Sequence, residues 1–193
     1  MARPPKSPHI PTRDGVSPSC VALPQLPALD RRWPTLLDFL SERLPAVNRE
    51  AWQRRLADGQ VLDEDGQPVR ASDACRGGER LYYWRALDEE SEIPFEATVL
   101  FQDAHLLVVD KPHFLPVTPT GRFVRQSLLV RLKQATGIET LSPIHRIDRE
   151  TAGLVVFSLR PQDRGAYQAL FRDRAVDKVY EAIAPFDATV ALP

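Results

Sequence analysis

Charged and polar residues that could perform chemistry are concentrated in residues 143–160. The run HRIDRE at positions 145–150 is followed by the turn residue Gly153 and by the apolar run LVVF at 154–157. That run is short and rich in β-branched residues, which predicts a buried strand. A carboxylate at the mouth of such a strand is held rigidly, and neighbouring arginines oppose the desolvation that would raise its pKa. Asp148 is therefore the candidate reactive group.

Other roles of Asp148 are consistent with the same residue types. Its side chain could cap the backbone at Thr151 or Gly153, and on residue types alone this structural role is the more frequent one. Asp148 and Glu150 could instead form a carboxylate pair like that of a glycosidase. No other segment resembles a sugar-binding cleft rich in tryptophan, which disfavours the pair.

Three motifs in the second half of the chain resemble those of the RluA-like family of RNA pseudouridine synthases. The run HRIDRETAGL at 145–154 resembles the motif H-R-L-D-x-x-T-S-G-L, with Ile for Leu and Ala for Ser. The run LVVDKPHFLPV at 107–117 is similar to the first family motif, an apolar strand that leads into Asp/Glu-Lys-Pro. The run KVYEA at 178–182 is similar to the Lys-x-Tyr-x-Ala strand. The motifs stand in family order, and the resemblance covers about residues 95–185.

The resemblance implies the isomerisation of uridine to pseudouridine in ribosomal or transfer RNA. This reaction breaks the N1–C1′ bond, turns the base and joins C5 to C1′. It involves no redox change and no net group transfer, so we expect neither a metal nor a coenzyme. The match makes Asp148 the catalytic carboxylate, attacking either C1′ or C6. It also makes Tyr180 the tyrosine that packs against the target base and assists proton removal at C5. A truncated, inactive RNA-binding protein of the same fold is the alternative.

The target uridine must leave its stack before its glycosidic bond can be reached, so RNA contacts are expected around Asp148. The residues that the resemblance and their charge assign to RNA binding are Arg146, His145, Lys111 and Arg149. Arg146 is the candidate for contacting the displaced nucleotide or its phosphate. His145 would shape the loop, and a buried structural hydrogen bond is an equal alternative. Lys111 would either shape the fold or meet a phosphate.

The charge of the chain supports RNA binding only locally. Residues 111–149 hold seven Lys and Arg against two Asp and Glu, whereas the whole chain has a net charge of −1. A solvated basic face is the ordinary interpretation of such a cluster. With the motif inside it, a surface that faces phosphate is the better interpretation.

The resemblance also leads us to expect more chain than these residues. Family members generally continue for about a hundred residues beyond the third motif, through a Gly-Arg-x-His-Gln-x-Arg segment whose arginine pairs with the catalytic aspartate. That segment is absent from the 193 residues. We therefore expect a fragment, a truncated product or a chain completed by another copy, with low or no activity for this chain alone.

The elements that must position these residues fall into four regions. Residues 1–34 hold eight of the eighteen prolines and predict an extended arm, either an inert tail or a strap that holds domains together. Residues 35–86 predict a small α+β domain, residues 87–93 an acidic linker and solvated hinge, and residues 94–193 the N-terminal half of a catalytic domain.

In the small domain, apolar spacing predicts a helix from Thr35 to Leu44 and a second helix over 49–57 that ends at Gly59. Short strands are predicted at 60–63, 67–69 and 79–85. This order resembles the small RNA-binding domain named after ribosomal protein S-four. The turn at 63–65 is acidic and would repel phosphate, so packing or spacing is at least as good an interpretation as RNA binding.

In the catalytic region, a hairpin is predicted from strands at 98–101 and 105–110, and a helix over 122–136 that ends at Gly137. The strand at 154–158 precedes a helix over 162–174 and a strand at 177–183. Tyr167, Leu170 and Phe171 are expected on the inward face of that helix. Strands and helices mix without a regular βαβ repeat, which predicts an α+β fold with a mixed, mostly antiparallel sheet. The resemblance implies the same sheet.

Composition excludes several classes of protein. With 43% hydrophobic and 26% charged residues the chain is typical of a globular protein. Its two cysteines lack metal-ligand spacing, so we expect no metal site and a reducing, cytoplasmic setting. No apolar segment is long enough for a signal or a membrane span. The oligomeric state stays open.

Overall fold

A computed structural model describes residues 10–25, 32–85 and 90–183. Within these residues, seven strands and four helices form two antiparallel sheets with helices packed against them. In chain order the elements are β1 (Ser19–Ala22), α1 (Leu36–Arg43), α2 (Arg49–Ala57), β2 (Val61–Leu62), β3 (Arg80–Tyr83), β4 (Thr98–Gln102), β5 (Leu106–Lys111), α3 (Leu128–Thr136), β6 (Ser142–Pro143), β7 (Gly153–Ser158) and α4 (Arg164–Arg172).

The first sheet has the strand order β1-β3-β2 and is covered by α1 and α2. Both helices begin where the sequence predicts, because polar side chains satisfy their first amides: Thr35 accepts from the amide of Asp38, and Asn48 accepts from that of Ala51. The buried aromatic side chains of Phe39 and Trp52 fill the space between the helices and the sheet. The bounds of α2 agree with the prediction.

The N-terminal region contributes a strand that the sequence pattern did not predict. In β1, Cys20 pairs with Tyr82 in antiparallel register, so residues 19–22 belong to the sheet of the small domain and not to a separate arm. Four residues with two polar positions carry too little periodicity to be recognised without their partner strand. Pairing with β3 supplies the hydrogen bonds that make this segment a strand.

Residues 10–17 pack against the first sheet and against α3. Ile10 and Val16 are buried in one cluster with Trp84, which follows β3, and with Val124 and Val130, which lie just before and within α3. These contacts favour a strap over an inert tail for this part of the chain.

The second sheet has the strand order β4-β5-β7-β6, and all its neighbouring strands are antiparallel. Leu107 and Val109 of β5 pair with Phe157 and Val155 of β7, and all four side chains are fully buried on one face. Helix α3 covers this face. The other face is more open, since Leu154 is 59% exposed. Strand β7 therefore fixes the end of the loop that carries Asp148.

Helix α3 begins later than the predicted residue 122. Residues 122–127 form turns, because the carboxylate of Glu90 accepts hydrogen bonds from the amides of Val124, Arg125 and Gln126 at 2.6–2.9 Å. Glu90 is thus part of the packing, which corrects the expectation that the acidic linker is only a solvated hinge. The helix ends as predicted at Gly137, which adopts a left-handed conformation with φ of 70°.

The structure corrects two predictions in the C-terminal region. Helix α4 forms, but none of its residues is fully buried, and Leu170, expected to face inward, is exposed. The strand predicted at 177–183 is absent, and the side chains of Val179 and Ile183 are almost fully exposed. A strand needs a neighbour for its main-chain hydrogen bonds, and none of the described strands pairs with this segment.

The predicted α+β class is confirmed, and every described strand pair is antiparallel. Among the helices in the described ranges, none is both long and apolar enough to cross a lipid bilayer. The second sheet provides the frame that holds the loop between β6 and β7.

Candidate active site

Asp148 lies in the loop of residues 144–152, which joins β6 to β7, and its side chain is exposed. A turn closes beyond it, where the amide of Thr151 donates to the main-chain carbonyl of Asp148 at 3.2 Å. The carboxylate itself has no hydrogen bond or ion pair to another residue of the described ranges. The capping role considered for this side chain is therefore not seen, because the main chain closes the turn.

His145 anchors the start of this loop to β7. The main-chain amide of Val156 donates to its Nε2 at 3.1 Å, next to the bond from the Ile144 amide to the Val156 carbonyl. The imidazole also stacks on Phe171, with ring centroids 4.4 Å apart. Because Nε2 accepts a hydrogen bond, the ring is neutral with its proton on Nδ1. Burial, and then the charge of Lys178, lower the pKa of His145. The structural role considered for His145 is observed, and its RNA contact stays a prediction.

Lys111 anchors the other side of the loop. Its side chain is fully buried, and Nζ donates to the carbonyl oxygens of Pro112, Leu115 and Arg149 at 2.8–3.2 Å. Three acceptors use all three protons of the ammonium group, so Lys111 cannot also reach a phosphate. The RNA contact predicted for Lys111 is corrected to the structural role considered beside it. Burial lowers the pKa of Lys111 to about 8, opposed by the charges of Glu150 and Asp148.

The backbone of residues 111–115 folds around this ammonium group and places Phe114 in a left-handed conformation with φ of 65°. For a bulky residue this conformation costs about 1–2 kcal/mol. Next to it, Nδ1 of His113 lies 2.6 Å from the carbonyl oxygen of Glu150. Residues 111–115 therefore hold the segment 149–150, immediately after Asp148, through both Lys111 and His113. Sequence patterns did not indicate this role of His113, since the partners are 37 residues apart.

Arg149 does not neutralise Asp148. Its Nε lies 2.8 Å from the carboxylate of Glu150, and its guanidinium group stands 5.5 Å from the ring centroid of Phe123. The hydrogen bond from Arg149 lowers the pKa of Glu150. Arg146 is exposed and, within the described part of the chain, forms no ion pair with Asp148. The neighbouring arginines, expected to oppose the desolvation of Asp148, therefore form no ion pair with it in the described structure, and the RNA contacts of Arg146 and Arg149 stay predictions.

Tyr180 is exposed in the structure. Its side chain is 62% exposed in the irregular segment after α4 and forms no hydrogen bond with residues 144–152 in the described part of the chain. Nearby, the ammonium group of Lys178 stands 5.9 Å from the ring centroid of Phe171. The catalytic contact of Tyr180 stays a prediction.

The arrangement presents the exposed carboxylate of Asp148, which unlike that of Glu150 has no ion pair among the described residues, on a loop fixed at both ends and close to the buried Lys111. Such a loop is open to a large substrate and can offer a negatively charged oxygen to an electron-poor carbon. The described residues contain no group of three or more His, Cys, Asp or Glu side chains placed to hold a metal ion.

Comparison with known proteins identifies the class to which this loop belongs. Residues 105–191, which include the loop and both neighbouring strands, match the family described as RNA pseudouridylate synthase. The resemblance to RNA pseudouridine synthases is thereby confirmed over these residues, which make up somewhat less than half of the chain.

Individual relatives extend the match into the small domain. An RNA pseudouridine synthase of Synechocystis, itself uncharacterised, is 36% identical over 148 residues, or 77% of this chain and 50% of that protein. Ribosomal large subunit pseudouridine synthase D of Xanthomonas campestris is 30% identical over 154 residues, or 75% of this chain and 45% of that protein. The tRNA pseudouridine(31) synthase of Saccharomyces cerevisiae is 37% identical over 84 residues, covering 44% of this chain and 20% of that protein. The chain spans about half the length of the first two relatives.

Proposed function

We propose that the protein converts uridine to pseudouridine in RNA and that Asp148 is the catalytic carboxylate. The observation that carries this proposal is the exposed Asp148 side chain within the matched motif, on a loop fixed by His145 at one end and by Lys111 at the other. A rigid, solvent-facing carboxylate suits attack on an extruded nucleotide.

The atoms of this reaction balance without a co-reactant. Asp148 adds to C1′ or C6 of the bound uridine, the N1–C1′ bond breaks, and the base turns within the site. C5 then bonds to C1′, the proton on C5 is lost, N1 takes up a proton, and the carboxylate is released. Product and substrate are isomers, so the reaction consumes neither an oxidant nor a group donor.

The substrate that we propose is a structured ribosomal or transfer RNA. Relatives named for each class of RNA are similar to this chain. The target base must be extruded, which costs a few kcal/mol. Arg146, exposed two residues before Asp148, is the residue that we assign to holding the displaced nucleotide.

A second candidate is an RNA-binding protein of this fold that does not catalyse the reaction. The exposure of Tyr180 and the absence of the strand predicted at 177–183 favour it, because the expected catalytic tyrosine is not held in the sheet that adjoins the Asp148 loop.

Tritium release from RNA labelled at C5 of uridine distinguishes the two candidates. The natural protein that contains these residues is compared with Asp148→Asn, and Asp58→Asn, an exposed acid at the end of α2, is the matched control. We expect Asp148→Asn to lose at least ~10³-fold in rate and the control to release tritium normally. Equal release by Asp148→Asn and its parent would show that the Asp148 assignment is wrong. RNA binding without release by the parent would favour the second candidate.

A further inference from the structure

Two aromatic side chains form an exposed surface beside the Asp148 loop. Phe95 and Phe114 are 44% and 49% exposed, and their ring centroids are 6.2 Å apart with the planes tilted by 41°. We call this pair the Phe95–Phe114 surface. Large apolar side chains are usually buried, so two adjacent exposed rings indicate a binding role.

The position of this surface is fixed relative to Asp148. Phe114 follows His113, whose Nδ1 lies 2.6 Å from the carbonyl oxygen of Glu150. The same turn is bonded through the Lys111 ammonium to the carbonyl oxygen of Arg149. These two contacts place the turn that carries Phe114 beside the segment that directly follows Asp148 in the chain.

The backbone of Phe95 is held in place as well. The guanidinium group of Arg131, on α3, donates to the carbonyl oxygen of Phe95 at 2.8 Å. Both rings therefore project from anchored backbone, which limits the entropy lost when a ligand binds.

Neither packing nor backbone preference explains a phenylalanine at position 114. Its φ of 65° is a conformation that glycine adopts without strain, and its ring covers little of the core. A residue that is strained and exposed beside a candidate active site suggests that its side chain is needed for function.

We propose that the Phe95–Phe114 surface stacks against an unpaired base of the RNA next to the target nucleotide. This inference rests on the proposed function. Aromatic rings among cationic side chains are the usual platform for single-stranded nucleic acid, because every base has a flat face that can stack. Arg122, Arg125 and Arg146 are the exposed cations of segment 111–149, in which Lys111 and Lys133 are buried.

Charge favours RNA over a protein partner at this surface. Arg149 stands over the ring of Phe123, and the exposed Arg146 lies in the same loop, so arginines stand on both sides of Asp148 in the chain. The exposed apolar residues of β4, such as Leu100 and Phe101, lie on an edge strand, and among the described ring contacts Phe95, but not Phe101, is paired with Phe114. We propose no RNA contact for these β4 residues, so one of them provides the control variant for the binding measurement.

The test uses Phe114→Gly, which removes the ring and relieves the backbone. Binding is measured with a short single-stranded, uridine-rich RNA that carries one 2-aminopurine in its centre. We expect affinity to fall roughly 5- to 150-fold, the usual effect of losing one stacked base. We expect Tm to rise by roughly 2–5 °C, because the strain is removed. Phe101→Ala, which removes an equally exposed ring from β4, should bind as the parent does.

The fluorescence of the 2-aminopurine in the same RNA shows whether the base stacks on an aromatic ring, because stacking quenches it. The parent should quench the 2-aminopurine on binding, and Phe114→Gly should quench it less at saturating protein. Equal affinity and equal quenching for Phe114→Gly and the parent, with tritium release intact in both, would overturn the stacking inference and leave the proposed function standing. Absence of both RNA binding and release in the parent would overturn the proposed function and the inference with it.

Discussion

Lys111 holds three main-chain carbonyl groups together at the base of the Asp148 loop. A buried ammonium group is costly unless each proton has an acceptor, and here Pro112, Leu115 and Arg149 supply all three. The cation therefore stabilises the turn at Phe114 and the loop end together. Its charge also lies close enough to Asp148 for the carboxylate to act on the pKa of Lys111.

Replacement of this cation should destabilise the protein. Lys111→Met keeps the apolar part of the side chain but leaves three carbonyl groups without their donor, and we expect a loss of about 2–4 kcal/mol in the free energy of unfolding. Urea denaturation measures the loss. Lys178→Met, at an exposed position, should change stability by less than about 0.5 kcal/mol. Similar losses in the two variants would contradict the role of Lys111.

At the scale of elements, the loop is attached to β7 through a side chain that extends the hydrogen-bond pattern of the sheet. Strand β6 has only two residues, and after Ile144 the ring of His145 takes the next amide of β7, that of Val156. The neutral imidazole therefore accepts a β7 amide hydrogen that a main-chain carbonyl group of a neighbouring strand would otherwise accept. This makes the attachment of the loop sensitive to pH.

Protonation of His145 should weaken this attachment. The folded pKa lies below the unfolded value of about 6.5, so the unfolded chain takes up the proton first. The contribution to stability is fully present above about pH 6.5 and is lost as pH falls through that value toward the folded pKa. At pH 5.5 we expect a loss of up to about 1.4 kcal/mol relative to pH 7.5, measured by urea denaturation.

The control for this effect is His145→Gln, whose amide oxygen can accept the Val156 hydrogen without titrating. Its free energy of unfolding should change less between pH 7.5 and pH 5.5 than that of the parent. The same decrease in both proteins would assign the pH dependence to other groups.

Elements with local signals were predictable, and those set by distant partners were not. Asn48 and Gly59 mark the ends of α2 in the sequence, and β5 and β7 show as apolar runs. The start of α3 depends on Glu90, more than thirty residues away, and β1 depends on β3. For the site, the motif indicated the Asp148 loop, but only the fold shows that Lys111 is buried and that Arg149 pairs with Glu150.

At the scale of the whole molecule, the strap joins the small domain to α3. Nζ of Lys133 on α3 donates to the hydroxyl of Ser17 at 3.1 Å, and the side-chain amide of Gln134 donates to the carbonyl oxygen of Asp14 at 2.8 Å. Between them, Gly15 has φ of 73° and lies so close to α3 that a β-carbon would stand 2.8 Å from the carbonyl oxygen of Val130. Only glycine, which has no β-carbon, can lie this close to α3 without a steric clash.

Gly15→Val should therefore detach the strap from α3. We expect a loss of about 2–4 kcal/mol in stability and faster proteolysis within residues 10–18. Gly121→Val is the matched control, because Gly121 also has a positive φ of 48° but has no atom within 4 Å of the added β-carbon. Gly121→Val should lose only about 1–2 kcal/mol in the free energy of unfolding, which is the cost of a left-handed backbone conformation for a residue with a β-carbon. Equal losses and equal proteolysis in the two variants would contradict a tight contact at Gly15.

We propose that the carboxylate of Asp148 performs chemistry on a uridine. Tritium release from C5-labelled RNA measures that chemistry most directly, with equal amounts of the natural protein and its Asp148→Asn variant. We predict release by the parent and a decrease of at least ~10³-fold in the variant, with RNA binding retained. Release at the same rate by both proteins would contradict the claim.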